Sequence, residues 1–187
     1  MPDDLVDIIN PISFLPVGKT ILRSLARKNG LMYSVIHLWI YNSKGGVLLQ
    51  HRCKEKKLYP DMWDVSIAGS VIAKESPIDA AIREAKEEIG LVIFKDELNE
   101  VFTFTENFDY GKDKMCELAH VFLFKYNAPI ESFKLQKEEV DEVRFFSQKE
   151  IKDIFKKHPK NHLIWSNESF PKVLELINKS VKRNLVK

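Results

Sequence analysis

At 187 residues the chain has room for one domain and a modest extension. Its 44% hydrophobic and 30% charged residues support a buried core and exclude wholesale disorder. With 29 Lys and Arg against 27 Asp and Glu, the formal net charge is only +2, which argues against binding a nucleic-acid polymer through bulk charge.

The first ten residues carry Asp3, Asp4 and Asp7 and lack the basic-then-apolar order of a secretory signal. No apolar run nears the ~18 residues of a membrane span. Cys53 and Cys116 are too few for a disulfide framework or a Cys-rich zinc site. A cytoplasmic protein with no membrane partner is therefore expected. Residues 1–30 read as an N-terminal extension packed on a main domain of residues 31–187, with Leu5–Ile9 a short strand and Thr20–Lys28 a short helix ending at Gly30.

From Tyr33 the signals sharpen. Tyr33–Tyr41 and Val47–Arg52 are strand-like runs around the turn Asn42–Gly46, which predicts a hairpin. Asp64–Ala68 is a further strand ended by Gly69. Ser76 then caps a helix, with Pro77 at its first position and Asp79 in a capping-box place. Ile78, Ala81, Ile82, Ala85 and Ile89 recur at helical steps until Gly90 stops the run. Glu100–Thr105, Glu117–Tyr126 and Val140–Phe146 follow as strands, with Asn107–Lys114 a polar hairpin loop. Ser147-Gln148-Lys149-Glu150 opens a helix to about Lys157, and a last helix covers about Phe170–Val181 with Lys179–Arg183 on a solvated face. The order predicts an α/β protein, a mixed sheet between helices.

The helix after Ser76 carries the chemistry. On a wheel of about 100° per residue, Glu87 lies ~40°, Glu84 ~100° and Glu88 ~140° from Arg83, so three acids share one flank beside the apolar face. Each like-charge pairing of Glu84 with Glu87 or Glu88 costs roughly 0.2–0.5 kcal/mol. Glu87 and Glu88 also oppose the helix dipole by about 0.3–1 kcal/mol each. A divalent cation reverses both effects, and hard carboxylate oxygens suit Mg²⁺ or Mn²⁺. A solvated acidic face is the alternative reading of the cluster alone.

Gly69, Glu75, Arg83-Glu84-Ala85-Lys86-Glu87-Glu88-Ile89-Gly90 and Leu91 resemble the signature of the Nudix hydrolases. Seven fixed positions at roughly 6% usage each match by chance with odds on the order of 10⁻⁹ per starting point. Ala85 is smaller than the aliphatic residue usual there. The resemblance implies a Nudix α/β/α sandwich and a Mg²⁺-dependent pyrophosphohydrolase acting on a nucleoside di- or triphosphate or a related small-molecule diphosphate. An exposed strand edge or the N-terminal segment offers a surface for a homodimer. Carried over by position, the resemblance makes Glu84, Glu87, Glu88 and the Gly69 carbonyl metal ligands. It places Arg83, paired with Glu75, in charge of the carboxylates' register. Glu84, Arg83 and Glu87 are the catalytic set. The base that activates water is Glu84 or a carboxylate from a distant loop such as Glu139, for which a solvated acidic turn is the other reading.

The segment around Val47–Arg52, Lys57 and Tyr59–Ser66 resembles the branch that contains the type I isopentenyl-diphosphate isomerases, and that resemblance spans about Asp7 to Phe155, including Gly18-Lys19 and Arg23–Ala26. Arg52 and Lys57 read either as diphosphate clamps or as a solvated basic loop. The isomerases' catalytic cysteine position holds Ala68, their metal-histidine positions hold Ser70 and Tyr33, and a metal-glutamate position holds Met115; only Glu117 remains. Alanine has nothing to ionise, which disfavours isomerisation. A diphosphate-binding sensor without turnover is a third reading, opposed by the intact box. His37, His51 and His120 share no ligand spacing, Trp39, Trp63 and Trp165 read as core, and Phe104, Phe108 and Tyr110 border the expected substrate loop.

Overall fold

A computed structural model describes residues 3–157 and 169–185; Trp165 lies outside them. The strand at Tyr33–Tyr41 (β3) is buried at all nine positions, because both of its faces and both of its edges are covered. It runs parallel to Asp113–Lys125 (β8), from Tyr33 opposite Glu117 to Tyr41 opposite Lys125. On its other edge it pairs antiparallel with Ile67–Ser70 (β6), His37 facing Ala68 and Val35 facing Ser70. Asn99–Tyr110 (β7) continues the sheet antiparallel to β8.

The expected hairpin between β3 and Val47–Arg52 (β4) pairs only at Tyr41 and Val47. Beyond that pair the strands diverge, and Ser66 fills the opening: its hydroxyl accepts from the Ile40 amide at 2.8 Å and donates to the Leu48 carbonyl at 2.5 Å. β4 pairs instead with Val140–Phe146 (β9) and with Trp63–Asp64 (β5). The single strand expected over Asp64–Ala68 is thus two, divided at Val65–Ser66 between two partners, and Gly69 lies inside β6. The expected loop Asn107–Lys114 is also paired, since alternation sends Phe108 and Tyr110 to one face and a turn at Gly111–Lys112 suffices.

The helix Pro77–Ile89 (α2) packs Ala80, Ala81, Ala85 and Ile89 against Ile36, Leu38, Ile40 and Ile67 on one face of the sheet. On the other face, Gln148–Lys157 (α3) and Ser169–Leu185 (α4) bring Ile151, Phe170, Val173 and Ile177 to Trp39, Val47 and Leu49. This is the α/β/α sandwich. Trp39 lies in the core 5.4 Å from Phe170, and Trp63, partly buried, packs against that core 4.7 Å from Phe146.

At the N-terminus, Leu5–Ile9 (β1) pairs with Pro16–Leu22 (β2) and touches β3 at Ile8 and Tyr33. The helix expected from Thr20 begins only at Arg23 (Arg23–Asn29, α1), because Thr20–Leu22 are held in β2. Ile12 and Leu15, in the β1–β2 connection, are 88% and 64% exposed. Among the described residues no helix is long and apolar enough to cross a membrane.

Candidate active site

The frame of the site follows from local chemistry. The Ser76 hydroxyl accepts from the Asp79 amide, Pro77 opens the helix, and Gly90 closes it at φ 69° with its amide on the Ala85 and Lys86 carbonyls. Gly69 on β6 faces the third turn of α2. A Cβ there would collide with the Glu84 carboxylate, so the position tolerates no side chain while Glu84 keeps this place.

Arg83 organises the acids. Its Nε and Nη2 grip the two Glu75 oxygens at 3.0 Å each, and Nη2 also reaches the Ser70 carbonyl at 3.0 Å. Its Nη1 donates to Glu84 Oε1 at 2.8 Å and to Glu87 Oε2 at 3.1 Å. A planar fork of five donors is suited to this multiple role.

The three acids share the flank the wheel gives them but not one environment. The Glu87 side chain is 52% exposed, that of Glu84 15%, and Glu88 as a whole 3%. Glu88, next to the apolar arc, joins Ala81, Ala85 and Ile89 on the buried face of α2. There its Oε2 accepts from Gln50 Nε2 of β4 at 3.1 Å. Burial pushes the Glu84 carboxyl up to about 7, with Glu87 and Glu139 adding to the rise and Arg83 opposing it. Burial, together with Glu84 and Glu139, also lifts Glu88 well above the ordinary range, against Lys56 and Arg52.

Glu139, just before β9, is 4% exposed and paired with Lys56 through Oε2, while its buried Oε1 has no hydrogen-bond partner among the described residues. Glu139 is thus no solvated turn, and its charge acts on both Glu84 and Glu88. Lys57 is exposed, and it is the neighbouring Lys56 that turns inward. Arg52, expected as a clamp or as part of a solvated loop, is committed elsewhere: it bonds Asp64 at 3.0 Å, the Leu58 carbonyl at 2.9 Å and the Tyr59 carbonyl at 3.1 Å, shaping the loop between β4 and β5. Gln50 and Lys56 carried no sequence signal, since both act on residues far along the chain.

Glu117 belongs to a separate network. The Tyr33 hydroxyl donates to it and itself accepts from Arg27 Nε at 3.0 Å. His37 packs on Phe104 at 5.7 Å, His51 on Trp63 at 5.1 Å, and His120 bonds Glu100 and Ser34, so the three histidines do not meet. Phe108 and Tyr110 lie 6.3 and 4.4 Å from Tyr59, forming an aromatic rim beside the β4–β5 loop. Cys53 is buried and Cys116 half-buried, both as free thiols.

Among the described residues no three Asp, Glu, His or Cys side chains form a finished cage for an ion, with Arg83 holding Glu84 and Glu87. The donor set nevertheless fits a hard divalent cation. Repulsion from Glu139 reaches both Glu84 and Glu88, Glu84 also repels Glu88, and the buried Oε1 of Glu139 has no hydrogen-bond partner among the described residues.

Residues 30–166 match the NUDIX domain family. A Nudix hydrolase of Listeria monocytogenes, described as uncharacterized, is 36% identical over 134 residues, 72% of this chain and 75% of the relative. One of Clostridium acetobutylicum, described likewise, is 31% identical over 166 residues, 83% of this chain and 79% of that protein. The crystal structure of DR0079 from Deinococcus radiodurans superposes with a TM-score of 0.67 at 19% identity, over 94% of this chain and 98% of that one. With that family span lying over the box and its sandwich, the chain belongs to the Nudix hydrolases and is a hydrolase of pyrophosphate bonds.

Proposed function

We propose that the chain hydrolyses a diphosphate linkage in a nucleoside di- or triphosphate or a related organic diphosphate, using Mg²⁺, or Mn²⁺ in its place, held by Glu84, Glu87, Glu88 and the Gly69 carbonyl. The observation that carries this reading is the surplus of buried acid: Glu84, Glu88 and Glu139 crowd one site whose protein cations leave Glu139 Oε1 unpaired. When bound, the ion supplies Lewis-acid polarisation of a phosphoryl oxygen and a water of lowered pKa.

The chain's own residues do the rest. Arg83, fixed by Glu75, keeps Glu84 and Glu87 in register beside Gly69. Glu84 takes the proton of the attacking water at its carboxylate, the role the family resemblance offers to an acid of the box. Glu139 is the second choice of base, favoured by its unpartnered Oε1. Lys57, exposed on the β4–β5 loop, meets a phosphate oxygen as a point charge. A cytoplasmic setting belongs to the same proposal. So does a homodimer in which a second copy covers Ile12 and Leu15, which sedimentation of Ile12→Lys beside the wild type tests.

The test is a panel of nucleoside di- and triphosphates and diphosphate-linked compounds assayed with Mg²⁺ for released phosphate and pyrophosphate, repeated in ¹⁸O-labelled water. Label in a phosphate product identifies the phosphorus attacked. Turnover that persists unchanged in a chelator, or product without label, overturns the proposal.

A further inference from the structure

The loop that carries Glu75 is held from outside the family span. Lys74 sits at φ 69°, a left-handed conformation that a side chain adopts only when its surroundings impose it. Its amide donates to Asp7 Oδ2 of β1 at 2.9 Å, and the preceding amide, of Ala73, donates to the Leu5 carbonyl at 2.8 Å. The second Asp7 oxygen accepts from the Thr20 hydroxyl of β2 at 2.7 Å, so the hairpin fixes the carboxylate that fixes the loop. Arg23 adds a second tie, donating to the Ser70 hydroxyl at 3.1 Å while paired with Asp4 at 3.3 Å. The next residue after Lys74 is Glu75, the two-oxygen partner of Arg83, and Arg83 holds Glu84 and Glu87.

We propose that Asp7 is a positioning residue for the box: it holds Lys74 in its left-handed turn and so sets Glu75, Arg83 and the acids that Arg83 orients. The N-terminal hairpin, which precedes the matched span of residues 30–166, is then part of the catalytic apparatus and not only a cover for β3. The consequence for metal binding rests on the cation assignment made above; the contact itself does not.

The test uses the full chain and two readouts without turnover: amide hydrogen exchange of residues 71–76 in metal-free protein, and Mn²⁺ affinity from the electron paramagnetic resonance signal of the free ion. Asp7→Ala is expected to speed exchange at Ala73 and Lys74 and to weaken Mn²⁺ binding about tenfold, the scale of one charge-assisted hydrogen bond. Asp7→Asn, which keeps an acceptor for the Lys74 amide, restores both. Lys74→Gly in the Asp7→Ala background restores Mn²⁺ affinity, because glycine takes the left-handed turn unaided. Thr20→Val, which leaves the fold of β1 alone, shifts both readouts in the same direction by less. Faster exchange with unchanged Mn²⁺ affinity overturns the proposal, as does a double variant no better than Asp7→Ala, which makes Asp7 an anchor of the hairpin alone. A wild type that binds no Mn²⁺ overturns the cation assignment, and unchanged exchange in Asp7→Ala and Thr20→Val then overturns the brace independently.

Discussion

Glu88 and Glu117 are buried to a similar degree, 3% and 8% exposed, on opposite faces of one sheet. Burial raises the pKa of both, yet their neighbours differ in kind. Glu117 receives a hydrogen bond from Tyr33, which Arg27 supports, and the guanidinium groups of Arg27 and Arg23 favour its charge. Glu88 has the amide of Gln50 and the more distant Lys56 and Arg52, against the added repulsion of Glu84 and Glu139. A buried carboxylate whose donors are built in serves the fold. One surrounded by further carboxylates is the kind of group that the proposed cation would relieve.

The sharpest way to break this contrast is substitution at the box. Glu88→Gln and Glu84→Gln are each expected to lower turnover at least about a hundredfold by removing transition-state charge stabilisation. Unfolding of the metal-free protein in urea should show unchanged or increased stability for both, because a repelled charge has been removed. Wild-type turnover in either variant ends the distinction. Gly69→Ala follows, with about a tenfold loss of turnover expected as the new Cβ displaces the Glu84 carboxylate. A crystal structure of that variant with Glu84 unmoved would contradict the expectation.

The Glu117 side should behave in the opposite sense. Tyr33→Phe removes a donor from a buried carboxylate and is expected to cost about 1–3 kcal/mol of stability, with turnover within about threefold of the wild type. Denaturant midpoints and steady-state rates measured side by side decide it. A further measurement is the pH slope of the metal-free protein. Glu84, pushed up to about 7 in the fold from an ordinary value of 4.5, binds more protons folded than unfolded between those values. Stability therefore falls as pH rises from about 5 to 7. Glu84→Gln reduces that slope and leaves the part that Glu88 and Glu117 contribute, and thermal melts at a series of pH values in a chelator show whether it does.

Much of the box was legible because its signals are local. A cap, a proline at the first position and a closing glycine bound α2 within its own residues, and β3, β4 and β9 kept their expected limits for the same reason, a two-residue alternation or apolar run ended by turn residues. The divided strand at Val65–Ser66 was not legible, since only the divergence of β3 from β4 creates two partners for it. The occupation of Arg52 by Asp64 and by carbonyls of its own loop was hidden likewise, because a side chain's partners depend on how the loop closes.

The amino-acid sequence alone determined which acids stand on one helix and at what spacing, because helical geometry converts residue number directly into angle. Tertiary structure decided their separate conditions: Glu88 inside, Glu84 largely covered and held by Arg83, Glu87 at the surface, and Glu139 brought in from the edge of β9. Gln50 reaches Glu88 across 38 positions and Lys56 reaches Glu139 across 83. Desolvation and repulsion are properties of whatever a fold packs around a group, and no spacing along the chain contains them.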